Sequence, residues 1–180
     1  MATQSGIAEA FVSFDASYDR LTSRNAAMLL IDHQIGPLWE LEFGGMRRTL
    51  GELARRARRL GVPTVITAIA PEIWGSVIPE LASVVPDAPT IVRGAVNPWE
   101  ESRVRRAVES AKRRKLLVAG GAGEDAVTSC ALCAANSGYD VYVLLDASPE
   151  LGHAAIARLG RAGVIVTTIS LVAAEMGSEL

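Results

Sequence analysis

Six short, uninterrupted apolar runs recur along this chain, each separated from the next by a segment of helical period, and that alternation leaves few folds open. The runs predict strands at Ala27–Asp32, Thr64–Ala68, Thr90–Arg93, Leu116–Gly120, Val141–Asp146 and Val164–Thr168. Between the first two lies the amphipathic stretch Met46–Leu60, with Arg on its outer face and a stop at Gly61-Val62-Pro63. Residues 99–113 repeat the pattern with Val104, Ala107 and Val108 inward, and His153–Arg161 ends ahead of Gly163. Strands that are apolar throughout are buried on both faces, and parallel neighbours need right-handed crossovers. The expected fold class is therefore α/β: a three-layer αβα arrangement around a six-stranded, mostly parallel, doubly wound (Rossmann-like) sheet. Residues 1–24 read as an N-terminal arm and residues 25–180 as one domain, without internal repeat or linker.

Composition narrows the function classes. Hydrophobic residues make up 49% of the chain and aromatic ones only 5%, so the core is built from Ala, Val, Leu and Ile. A formal charge of −2 gives no reason to expect nucleic acid or an anionic membrane as partner. The basic run Lys112-Arg113-Arg114-Lys115 reads as a solvated helix end, where cations complement the helix dipole. No apolar run reaches membrane-spanning length, and residues 1–25 lack the charged start and apolar centre of a signal peptide, which makes a cytoplasmic protein the default expectation.

In a doubly wound sheet, ligands bind beyond the carboxyl ends of the strands. Strand one delivers Asp32-His33-Gln34 there, strand three Arg93 and strand five Asp146. Strand four ends in Gly120-Gly121-Ala122-Gly123, followed at once by Glu124-Asp125-Ala126 and a helical pattern that runs through Val127, Cys130, Ala131 and Ala134 to Gly138. Glycines at such a junction admit close backbone approach, and the free N–H groups of the new helix suit an anion or oxyanion. Gly121-x-Gly123-x-x-Ala126 with Asp146 twenty residues on also formally satisfies a dinucleotide fingerprint, but Glu124 and Asp125 would set two negative charges beside the pyrophosphate. Trp39, Trp74 and Trp99 each follow a strand end closely, so an aromatic pocket wall is expected. Cys130 and Cys133 have the spacing of a redox or zinc pair. They sit too deep in the helix for the first, and with only His33 and His153 in the chain they lack partners for the second, so core packing is the expectation.

Taken in order, Leu29-Leu30-Ile31-Asp32-His33-Gln34, Pro79-Glu80-Leu81, Pro89-Thr90-Ile91-Val92-Arg93, Asn97-Pro98-Trp99, Val118-Ala119-Gly120, Gly138-Tyr139-Asp140-Val141 and Asp146-Ala147-Ser148 resemble the isochorismatase-like hydrolases. These, also called the cysteine hydrolase superfamily, include nicotinamidases, N-carbamoylsarcosine amidases and isochorismatases. The resemblance runs from about Ala26 to Gly177. It implies frequent oligomers and a site made of an Asp after strand one, a basic residue after strand three and a Cys at the start of the helix after strand four. Asp32 fills the first position and Arg93 the second, where most relatives carry Lys. The third falls on Ala126, which cannot attack a carbonyl. Cys130 lies one helical turn deeper, about 5–6 Å away, outside the tolerance of nucleophilic attack. True isochorismatases resemble members without this Cys, because vinyl-ether hydrolysis needs an acid and a water but no covalent nucleophile.

The reading that follows is a hydrolase acting on a small molecule by Asp-based acid/base chemistry, without a covalent Cys intermediate, on a C–N or vinyl-ether-like C–O bond. Asp32 and Arg93 are its expected catalytic residues, with Ala126 at the nucleophile position. Arg93 is also suited to clamp a substrate carboxylate. Substrate contacts are expected from Gln34, Trp74, Trp99, Gly121, Ala122, Gly123, Glu124 and Asp125. No metal or cofactor is expected, and a homo-oligomer is. The alternatives are a non-catalytic binding or structural paralogue and an inactivated Cys→Ala amidase-type hydrolase.

Overall fold

The computed structural model describes residues 19–38, 43–121 and 123–177. In chain order the elements are β1 (Ala26–Ile31), α1 (Gly44–Arg59), β2 (Thr64–Ile69), α2 (Pro71–Trp74), α3 (Pro79–Ala82), β3 (Thr90–Arg93), α4 (Ser102–Ser110), β4 (Lys115–Gly120), α5 (Glu124–Asn136), β5 (Asp140–Leu144), α6 (His153–Arg161), β6 (Ile165–Thr167) and α7 (Ile169–Gly177). The six strands form one sheet in the order β3-β2-β1-β4-β5-β6, and every pairing is parallel. All six residues of β1 are buried, as are all six of β4. Each alternates between two cores. Met28 and Leu30 join Leu50, Leu53 and Ala57 of α1 and Val172 of α7 on one face. Ala27, Leu29 and Ile31 join Val104 of α4, Cys130 and Ala134 of α5 and Leu159 of α6 on the other.

Two expected elements change at their ends, for local reasons. The run expected to carry β5 to Asp146 stops at Leu144, and Leu145–Ala147 forms a 3-10 turn instead. The Asp146 carboxylate accepts the Ile169 N–H at 2.9 and 3.1 Å, so this side chain holds the start of α7 rather than facing a ligand, which removes the acidic residue of the dinucleotide fingerprint. The helix expected over residues 99–113 is broken at Glu101, whose ψ of 109° is extended. Asn97 Oδ1 accepts the Trp99 N–H at 3.0 Å and turns Pro98–Glu100 into a separate 3-10 helix that buries the indole.

Ahead of β1, Leu21 is fully buried and its N–H donates to Glu175 Oε1 at 2.7 Å. Asp19 stands 3.3 Å from the nearly buried Nζ of Lys115 at the start of β4. Among the described residues no helix is long and apolar enough to cross a membrane.

Strand order reverses between β1 and β4: the chain steps outward from β1 to β2 and β3, then crosses back to lay β4 on the free side of β1. At such a switch point the loops beyond the two strands part and leave a crevice. The register pairs Ile31 with Gly120 and so puts Asp32 beside the glycine turn.

Candidate active site

Asp32 leaves the sheet in the left-handed region, at φ +50°. This conformation is rare outside glycine but open to Asp, and it is found where a backbone is held in place by its surroundings. Its side chain is wholly buried and receives donors from two other strands. Thr67 Oγ1, on β2, donates to Oδ1 at 2.7 Å. Arg93, at the end of β3, donates through Nε to Oδ1 at 3.2 Å and to Oδ2 at 2.9 Å, and through Nη2 to Oδ2. The other arm of the guanidinium, Nη1, donates to the carbonyl oxygens of Ala95 and of Val96, the latter at 3.0 Å. The expected carboxylate clamp is therefore turned inward: the fork of Arg93 holds Asp32, and a charge pair with almost no exposure is fully hydrogen-bonded.

Opposite stands the turn after β4. The Gly121 N–H donates to the Ile31 carbonyl at 2.8 Å, and a Cβ on Gly121 would lie 2.8 Å from both the Asp32 carbonyl oxygen and the His33 Cα. Gly123 has φ +81° and opens α5. Its N–H, one of the donors a helix start offers to an anion, is taken by Glu150 Oε2 at 2.9 Å. Ala126 sits in the first turn of α5, nearly buried. Asp32, Arg93, Gly123, Asp125, Ala126 and Glu150 share one cavity of about 440 Å3 with Pro37, Ile69, Trp74 and Val96.

Of the residues expected to touch substrate, Trp74, Gly123 and Asp125 line this cavity. Gln34 lies behind it, fully buried, its amide donating to the carbonyls of Ile69 and Gly75 and accepting the Ile69 N–H, so that it ties β1 to the loop around α2. Trp99 faces α5, with Nε1 donating to Ser137 Oγ at 3.1 Å and its ring edge-on to Tyr139. Glu124 turns towards α6 and accepts the Gly152 N–H at 2.7 Å. Gly121 is spent on backbone packing under the turn, and Ala122, like Trp39, lies outside the described residues.

Cys130 is fully buried and desolvation pushes its thiol well above the usual range, as befits a small core residue. Cys133 accepts a contact from Asn97 Nδ2 at 3.4 Å on the flank of α5, and neither cysteine lines the cavity. His33 is buried with Nε2 donating to the Ala147 carbonyl at 3.1 Å; burial lowers its pKa to about 4 and keeps the ring neutral. Thr67 and Glu150 were not anticipated. A hydroxyl inside the apolar run Val65-Ile66-Thr67-Ala68 was the available signal for the first, whereas Glu150 reaches the turn only through tertiary folding.

The isochorismatase domain family matches residues 26–170. This chain belongs to the isochorismatase family. The probable hydrolase YcaC of Escherichia coli K12 is 34% identical over 170 residues, covering 88% of this isochorismatase-family chain and 81% of YcaC. The crystal structure of Escherichia coli YcaC, described as an octameric hydrolase of unknown specificity, matches with a TM-score of 0.81 at 35% identity, covering 89% of this chain and 83% of that one. The Pseudomonas aeruginosa YcaC structure with hexane-2,5-diol and covalent acrylamide matches with the same TM-score of 0.81 at 31% identity, over 90% of this chain and 85% of that one. This isochorismatase-family chain is thus an enzyme of hydrolytic class on the fold expected of it.

Proposed function

We propose that this protein hydrolyses a small molecule in the Asp32 cavity by acid/base chemistry alone, with Ala126 standing where the cysteine hydrolases carry their nucleophile. The observation that carries the reading is that Asp32 and the methyl of Ala126 line one cavity from which both cysteines are absent. Thr67 and Arg93 hold the Asp32 carboxylate by donating to both of its oxygens, which fixes its orientation at the cavity wall. In the step proposed, Asp32 takes a proton from water as the water oxygen bonds to the electrophilic carbon. The C–N bond, or an activated C–O bond, then breaks, and the proton passes to the leaving group.

The test separates this from thiol chemistry. Against a panel of small amides, ureides and activated esters, a Cys130→Ala/Cys133→Ala double variant is expected to keep its activity, and Asp32→Asn to lose about a hundredfold or more. Abolished turnover in the cysteine-free variant would overturn the proposal.

The protein is also proposed to work as a homo-oligomer. Escherichia coli YcaC is octameric, and Ile73, Val92, Ile165 and Leu171 expose apolar side chains on this chain. Sedimentation is expected to show a species several times the monomer mass, and a monomer at micromolar concentration would overturn this.

A further inference from the structure

We propose that the cavity beside Asp32 selects a cationic amine, a protonated or quaternary nitrogen carried on an apolar body; the inference rests on the cavity being the substrate site of the proposed hydrolase. Its wall has two characters. Pro37, Ile69, Trp74, Val96 and Ala126 supply apolar surface, and Asp32, Asp125 and Glu150 supply carboxylates. Arg93 is the one cationic side chain among the described lining residues, and its guanidinium is spent on Asp32 and on the carbonyls of Ala95 and Val96. That pair cancels itself.

Asp125 and Glu150 have no such partner. Neither forms an ion pair with any described residue, and the one hydrogen bond Glu150 makes here is from the Gly123 N–H. The start of α5 brings the equivalent of roughly half a positive charge, too little to offset two carboxylates. A substrate carboxylate would therefore meet two like charges and no free cation among the lining residues, with the Gly123 amide already taken. An ammonium group would meet the opposite.

An independent feature points the same way. Trp74 leaves 45% of its surface exposed and Val96 leaves 64%, and both line the cavity beside its carboxylates, so a ligand seated there can cover them. An indole in a cavity that also carries carboxylates can attract a cation through its quadrupole and cover the apolar part of the same ligand. The cavity volume of about 440 Å3 is within the range of small-molecule sites.

The test uses three probes that share one ring: benzyltrimethylammonium, benzyl alcohol and benzoate, titrated calorimetrically into the full-length protein at low ionic strength. Benzyltrimethylammonium is expected to bind about tenfold tighter than benzyl alcohol, and benzoate more weakly than either. In an Asp125→Asn/Glu150→Gln variant the preference for the cation is expected to vanish while benzyl alcohol affinity stays. Benzoate or benzyl alcohol binding as tightly as the cation, no binding by any probe, or a cation preference that survives the double variant would overturn the proposal. Asp32-dependent hydrolysis of the panel is read separately, so a hydrolase that prefers benzoate would lose the cation assignment alone, and a cation-selective protein without turnover would lose the hydrolase reading alone.

Discussion

At the residue scale the site is a buried ion pair whose members come from the ends of two strands that do not touch each other. Asp32 follows β1, Arg93 ends β3, and Thr67 of β2 bridges the gap between them. Removing one member leaves the other charged and desolvated. Arg93→Ala is therefore expected to cost about 3–5 kcal/mol in urea unfolding, and Asp32→Asn with Arg93→Met together to cost less than the sum of the two single changes. Additive losses would mean that the pair is not coupled. His33 makes a second, pH-dependent contribution. Its pKa falls from 6.5 to about 4 because burial disfavours the imidazolium. Between these values the unfolded chain binds a proton that the native chain does not. The stabilisation is whole above the unfolded value and is lost as pH falls through that window, by about 3 kcal/mol in all. Unfolding free energies measured from pH 7 to pH 4 should show this slope, and His33→Gln should flatten it. Asp32 and Arg93 were legible in the sequence because a charged residue directly after an apolar strand has one place to go. Thr67 was not, since a lone Thr in a strand is as often a packing residue.

At the element scale the β4–α5 junction works by what it lacks. A Cβ on Gly121 would strike backbone atoms of Asp32 and His33 at 2.8 Å, and backbone cannot swing aside as a side-chain tip can. Gly121→Ala is accordingly expected to destabilise the protein by about 1–3 kcal/mol and to disturb ligand binding in the cavity as well. Normal stability and binding would show that the strand ends have room to part. The start of α5 can be tested with a thiol. Helix N-termini lower the pKa of a cysteine placed there, whereas burial raises that of Cys130. Ala126→Cys is expected to be alkylated by acrylamide faster than Cys130 or Cys133 at neutral pH, read by peptide mass spectrometry. Equal rates would argue against this turn as the reacting edge of the site. The helix itself was legible from its period, but the direction of Glu124 was not. First-turn acids all satisfy the dipole, and only the position of Gly152 in space draws Glu124 out of the cavity and leaves Asp125 in it.

At the scale of the whole molecule, one sheet with two buried faces sets stability and the strand order sets where chemistry can occur. The described segment ahead of β1 belongs to that stability, because Leu21 is fully buried in the core shared with α1 and α7. Leu21→Ala is expected to cost about 2–4 kcal/mol by chemical denaturation, and a loss near zero would make this segment a detachable arm. The chain's own letters determined the α/β class, the strand positions to within a residue or two, the parallel sense of the sheet, and the edge to which Asp32, Arg93 and the glycine turn are delivered. Those features follow from local period, strand-end charge and the geometry of crossovers, all written in neighbouring residues. Tertiary structure alone decided that Arg93 closes on Asp32 instead of a ligand, that Gln34 and Trp99 serve packing, and that Glu150 meets the Gly123 amide. Each of these is a partnership across 27 or more residues, 61 for Arg93 with Asp32 and 27 for Gly123 with Glu150. Period and spacing specify which face a side chain leaves from, but which donor reaches which acceptor depends on strand order and on a few ångströms of loop path.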